Sequence, residues 1–268
     1  MISKSERLLI FRFLFSKKSD GYVSIFAWFS IIGISLGVAA IIIVMSVMNG
    51  FRIDLTNRII GLNSHLNIYS FDNEITNKQA DELILNIDNS FFYQHYKSIE
   101  TNGLIIKSNN SKGVMIKGYD EYDKNHYLFN SINMGALIQN PKSEILIGDS
   151  LANEMNLSVG DKVKIAIPKT DKTILGNIPR FKTLEVVGVF DLGLYEYDSN
   201  LIFLSSELVR KLLLYDEDIY NKIEFFTSSP NEIELFKNKV ELEISNLLLN
   251  FYSITWKDQN LSLIHISE

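Results

Sequence analysis

From Gly21 to Phe51 the chain carries no charged residue, reading GYVSIFAWFSIIGISLGVAAIIIVMSVMNGF. Taken as helix from Val23 to Met48, this run covers roughly 39 Å at about 1.5 Å per residue, enough to cross a hydrocarbon core of about 30 Å with some tilt. The core helix of a soluble protein seldom runs so far without a charge. A secretory leader has a shorter apolar region that ends at a small-residue cleavage site. GVAA offers small residues, but it lies mid-run with more apolar chain beyond it. The segment 21–51 is therefore expected to be a retained transmembrane helix, the alternative being a signal segment, cleaved or uncleaved.

Flanking charge sets the expected orientation. Lys4, Arg7, Arg12, Lys17 and Lys18 precede the run, whereas only Arg52 and Arg58, with Asp54 between them, follow closely. The excess of positive charge on the N-terminal side predicts a cytoplasmic segment 1–20 and places residues beyond about 50 on the far side. SERLLIFRFLFSKK either lies along the inner membrane surface or leads helically into the span. Along the span Ala27, Ser30, Gly33, Gly37 and Ala40 recur at three- and four-residue spacing. Such a stripe lets another helix approach closely in lipid, although Gly and Ala are also simply common in membrane helices.

Residues 52–258 read as an α+β domain. SHLNIYS alternates as a strand, and GLIIKSNNSKGVMIKGYD forms two apolar strands around the polar turn Ser108–Gly113. ILIGDSLANEMNLSVGDKVKIAIP reads as strand, short helix around Leu151–Met155, turn and strand. FKTLEVVGVFD is a further strand, with Gly188 inside it. SNLIFLSSELVRKLLLY is a strand whose Ser205-Ser206-Glu207 can cap a helix over 207–215, and the chain after Asn221 repeats that plan with Ser-Ser-Pro before a long helix. FYSITW closes the series as a strand. The fold class is thus a membrane protein, an N-terminal transmembrane α-helix followed by an α+β domain.

The chain has only four prolines, and two of them, Pro168 and Pro179, bracket the loop IPKTDKTILGNIPRFK between expected strands. Proline at each end fixes φ and removes donors, which predicts a stiff loop poorly suited to continuing a sheet. An exposed Ile174–Leu175 tip beside cationic groups would suit an apolar pocket with an acidic rim. The alternative is a long hairpin whose Ile174 and Leu175 fold back on the domain.

Signatures of catalysis are not found. There is no cysteine, no GxSxG and no GxxxxGK[ST], and the four histidines His65, His95, His126 and His265 lie far apart without metal-ligand spacing. Metal sites and cofactors are not expected in this chain. A net charge of −6 argues against nucleic acid as a partner. The carboxylates, spread over polar stretches, are expected to be solvated surface charge, and Asp120-Glu121-Tyr122-Asp123 to be a turn.

FSIIGISLGVAAIIIVMSVMNGF, ILIGDSLANEMNLSVGDKVKIAIP and LEVVGVFDLGLYEYDSNLIFLS closely resemble the lipoprotein-releasing permeases of Gram-negative inner membranes, the LolC/LolE family of MacB-like ABC transporters. The resemblance covers nearly all of 5–258. It implies a MacB-like periplasmic domain and a non-catalytic transport subunit. The implied partners are a second LolC/LolE-type permease subunit and a dimer of a cytoplasmic LolD-like ATPase, which would bind ATP and Mg. The implied cargo is triacylated lipoprotein, passed to the periplasmic carrier LolA. By the same resemblance 168–179 is a carrier-inserting hook, with Pro168, Ile174, Leu175, Gly176, Ile178 and Pro179 at its working end. Lys164, Arg180 and Lys182 would be an adjoining polar pad. Met45, Val47, Met48 and Phe51 would line the cavity for acyl chains, unless they face bulk lipid, and Ser30, Gly33, Gly37 and Ala40 would pack on a partner helix.

Family members continue into three more membrane helices and a cytoplasmic coupling loop. The ending QNLSLIHISE resembles read-through of sequencing-adapter DNA, so 259–268 is expected to be a non-native tail with the later helices missing. Two other functions compete: another MacB-like permease, for small-molecule or peptide export or for cell-division regulation, and a single-span anchored binding domain.

Overall fold

The computed structural model describes residues 4–8, 21–62, 64–88, 90–122, 126–173 and 176–259; side chains at 21, 23–24, 52, 55–59, 61–62 and 168–179 are outside that description. The chain divides into two compact units, residues 1–57 and 58–268.

The first unit is dominated by helix α1, Gly21–Leu62, which does not stop where charge returns but continues past Phe51. RIDLTNRII contains no Gly or Pro to break it, so the helix outlasts the apolar run. Within α1, Ile25–Phe51 has a mean hydropathy of 2.7 and none of it is buried in the structure. It is the one helix among the described residues long and apolar enough to cross a membrane.

In the second unit six strands close into a ring. Strands β3 (Gln94–Lys107) and β4 (Asn110–Tyr119) form a hairpin, and β4 pairs in parallel with β9 (Leu201–Ser205). Strand β9 pairs with β6 (Glu144–Gly148), and β6 in parallel with β8 (Gly176–Phe190). Strand β8 pairs with β7 (Lys162–Thr173), which returns to β3 through Leu104↔Ala166 and Ile106↔Lys164. Because side chains alternate across each strand, one set points inward. Ile99, Ile105, Val114, Ile116, Ile145, Ile147, Val163, Ile165, Ile167, Leu184, Val186, Ile202 and Leu204 form this interior. Helix α3 (Asp149–Met155) and helix α5 (Ser206–Leu213) complete it with Leu151, Met155, Leu208, Val209 and Leu212. Gly103 of β3 is required there, because a Cβ would lie 2.5 Å from Ile116 Cδ1 and 2.8 Å from the Ala166 carbonyl oxygen.

The N-terminal half of β3 extends the sheet outward to β11 (Lys222–Phe226), β1 (Leu66–Ser70) and β12 (Phe251–Thr255). Helix α2 (Asn77–Asn86) and helix α6 (Ile233–Asn246) bury one face of this extension in a second core of Leu66, Ile68, Leu83, Ile223, Phe225, Phe236 and Val240. Strand β5 (Ile132–Gly135) pairs with β8, β2 (Ile75–Thr76) pairs with β10 (Ile219–Tyr220), and the short helix α4 (Tyr195–Asn200) leads into β9. On the outside of the ring Tyr119, Leu128, Leu146, Phe190 and Phe203 make a third cluster.

Candidate functional site

Strands β7 and β8 pair from Lys162↔Glu185 to Thr173↔Gly176. The ring, however, holds β7 only as far as Ala166 and β8 only from Glu185 onward. Between those points the two strands pair only with each other among the described residues, so a two-stranded ribbon projects from the ring by about 20 Å at roughly 3.3 Å per residue. Pro168 and Pro179 do not end the sheet as the sequence suggested. They lie inside β7 and β8, and the ladder continues beyond them with one register shift between Ile167 and Thr170. A free ribbon has outward-facing backbone positions with no neighbouring strand, where proline forfeits no ladder bond, and the shift absorbs the remaining mismatch. Ile174 and Leu175 lie outside the described residues, as do the side chains of Pro168, Gly176, Ile178 and Pro179.

The three cations at the base of the ribbon do not share a side. Ile165 stands opposite Lys182 and Ile167 opposite Arg180, so both cations lie on the inward-facing register of the ring, at its rim. Arg180 is half-buried, and its Nη1 donates to the Lys211 carbonyl at the end of α5 at 3.1 Å. Lys164 stands opposite Thr183 and Ile106, on the outer register, and is exposed. Phe181, between Arg180 and Lys182, is also on the outer register and is 55% exposed. Strict alternation around Leu184 and Val186 would have signalled Phe181 from the sequence.

In α1, Met45, Val47, Met48 and Phe51 are all exposed, as are Ser30, Gly33, Gly37 and Ala40. A Cβ added at Gly33 or Gly37 would meet nothing within 4 Å. At about 100° per residue, Val47, Met48 and Phe51 continue the side of the helix that carries Ser30, Gly33, Gly37 and Ala40, while Met45 turns away from it.

The expectation of solvated carboxylates fails at Glu224, which is fully buried in β11. Its Oε1 receives Lys117 Nζ at 2.7 Å and Lys222 Nζ at 3.0 Å, and its Oε2 accepts from the Tyr119 hydroxyl at 2.5 Å. Glu100 completes a quartet, 3.0 Å from Lys222 and 3.6 Å from Lys117. Burial alone would raise the Glu224 pKa, but the two lysines overturn this and hold it well below the usual carboxylate range. Burial likewise disfavours charged Lys117 and Lys222, and Glu224 reverses that, so both pKa values rise. Lys222 and Glu224 alternate along KIEFF as surface residues would, and the covering outside the sheet is not written in that pattern. The quartet ties β4, β3 and β11 together as a structural element of the domain.

The MacB-like periplasmic core domain matches residues 27–241, and the chain belongs to that family. The lipoprotein-releasing system transmembrane protein LolC of Neisseria meningitidis serogroup B is 29% identical over 213 residues, 78% of this chain and 51% of that protein. LolC of Xylella fastidiosa (strain 9a5c) is 26% identical over 209 residues, 76% of this chain and 50% of that protein. LolE of Haemophilus influenzae is 25% identical over 226 residues, 82% of this chain and 54% of that protein. The chain spans about half the length of the curated relatives it matches. Together with the family match, these similarities support a MacB-like permease of the LolC/LolE type.

Proposed function

We propose that this chain is part of the permease of an ABC transporter that draws lipoproteins out of the bacterial inner membrane and hands them to a LolA-type periplasmic carrier. In this reading α1 spans the membrane with its N-terminus in the cytoplasm, and residues 58–259 stand in the periplasm. A second permease subunit would pack on the small-residue side of α1, and a separate LolD-like ATPase would bind ATP and Mg and supply the energy. The role assigned here is mechanical: the chain holds cargo and carrier, and chemistry belongs to the ATPase.

The observation that carries the reading is the β7–β8 ribbon, a projection with no other strand beside it among the described residues, in a chain whose relatives are named lipoprotein-releasing proteins. A two-stranded ribbon held by a closed ring loses less conformational freedom on docking than a floppy loop, which favours insertion into another protein. Leu175 is the residue on which the carrier reading rests. Leu175→Glu would place a carboxylate in the carrier's apolar cavity, which is costly without a partner. Carrier binding by the chain in nanodiscs should be lost with this variant; binding unchanged within two-fold would remove the ribbon tip from the docking site.

A further inference from the structure

Strand β3 belongs to two bodies. Its first residues, Gln94–Ser98, pair with β11 in the outward extension, whereas Leu104–Ile106 pair along the same edge with β7 in the ring. Each body has its own core, and among the described residues the two cores share no side chain. Between Ser98 and Leu104 that edge of β3 has no strand beside it among the described residues. Asn221, just before β11, fills part of the gap: its Nδ2 donates to the Glu100 carbonyl at 2.7 Å, and its Oδ1 accepts from the Glu100 amide at 2.8 Å. A strand that loses one neighbour between two packed bodies is where bending costs least. Apolar contact across this joint includes Tyr220 of β10, which reaches the ring interior, and the edge-on pair Tyr96–Tyr119, 5.4 Å between ring centres.

The charged quartet sits on this joint. Glu100 stands directly opposite Lys117 of β4, Ser98 opposite Lys222 of β11, and Tyr96 opposite Glu224. The 2.7 Å bond from Lys117 to Glu224 therefore runs diagonally from a ring strand to an extension strand, across Ser98. Ser98 is fully buried, its Oγ has no hydrogen-bond partner, and its small side chain leaves the diagonal open. For cohesion alone, apolar groups of similar volume would serve as well as buried ions. Aromatic and aliphatic contacts tolerate sliding, however, whereas a slip at the quartet would leave a buried charge without its partner. We infer that the quartet is an orientation lock, holding the ring and the ribbon rooted in it at one fixed angle to the extension. The lock acts whichever partner the ribbon takes, so it stands apart from the carrier-docking reading. Without its charges the domain should stay folded while its two bodies swing about β3.

The chain has no cysteine, so two introduced cysteines take spin labels at chosen sites. The test uses the full chain in nanodiscs and reads distances by double electron–electron resonance. One pair crosses the joint, Leu242→Cys on α6 with Ser158→Cys in the turn before β7, both at exposed positions. A control pair lies within the extension, Leu242→Cys with Lys78→Cys on α2. Replacing the quartet by Lys117→Met, Lys222→Met, Glu224→Leu and Glu100→Gln together should at least double the width of the distance distribution across the joint. The control pair should keep the parent's width. An unchanged width across the joint would overturn the lock, and so would equal broadening of both pairs, which would mean general loosening. Should the quadruple variant not fold, Lys117→Met with Glu224→Gln, which removes the diagonal bond and leaves Lys222 on Glu100, is judged by the same two distances. If neither variant folds, the quartet serves cohesion and the lock is overturned as well.

Discussion

Replacing Glu224 with glutamine keeps its shape but removes its charge, and the quartet lets the cost be worked out. Lys117 and Lys222, with side chains 7% and 6% exposed, would then share one remaining carboxylate, Glu100, at 3.6 and 3.0 Å. Removing one partner of a buried ion pair costs on the order of 3–5 kcal/mol. The escape route, losing a lysine proton at neutral pH, costs about 5 kcal/mol from an ordinary lysine pKa, so it does not undercut that figure. With a urea dependence of about 3 kcal/mol per molar, the unfolding midpoint should fall by roughly 1–1.7 M. The assay is urea unfolding of the detergent-solubilised chain, followed by fluorescence of Trp256, which is 6% exposed in the second core. A companion variant, Lys117→Met, Lys222→Met, Glu224→Leu and Glu100→Gln together, removes every charge of the quartet and should recover much of the loss, because well-packed apolar groups often replace buried ions without penalty. A Glu224→Gln midpoint within about 0.3 M of the parent would correspond to about 1 kcal/mol and would refute the reasoning. So would a companion variant as damaged as the single one.

Two further outcomes can be checked. Asp198 is buried, its Oδ1 accepts from the Leu192 amide at 2.8 Å, and burial, reinforced by Asp191, raises its pKa from 3.8 to about 6. A raised carboxyl pKa means that the folded state resists ionisation, so this residue's contribution is most favourable below pH 4 and is lost as pH rises to about 6. Asp198→Asn keeps the acceptor and should raise stability by about 1–3 kcal/mol at pH 7.5 and by little at pH 4; an equal gain at both would dismiss the titration. The proposed orientation predicts that protease added outside spheroplasts cleaves the domain after residue 62 and that a cytosolic thiol probe fails to label a cysteine placed at Ser158; the reverse pattern would invert the topology.

The membrane span was legible because an uncharged run of that length has few other uses, yet its end was not the helix end. Charge marks where lipid stops being tolerable, whereas a helix stops at a breaker or a cap, and RIDLTNRII holds neither. Individual strands and the Ser205 cap of α5 could be read locally, and Ser205 Oγ does accept from the Leu208 amide. Helix α2 announced itself too, through Thr76 and Gln79, which form a capping box that the sequence reading passed over. Closure of the ring could not be read, since β4 and β9 pair across more than eighty intervening residues and nothing in either strand names the other. At the candidate site the family resemblance grouped Lys164, Arg180 and Lys182, but their separation onto two sides depends on register, which turns every side chain over with a slip of one residue. Phe181 and Leu104 were not singled out from the sequence, because a strand tells which residues alternate, not which side is covered.

Both legs of the β7–β8 ribbon are rooted in the ring, one against β3 and the other against β6. A pull at its far end therefore loads two anchoring ladders in shear and cannot peel away a lone edge strand. Whatever the ribbon grips, strain reaching it is delivered to the wall of the ring as a whole, which makes the projection a lever and not a tether.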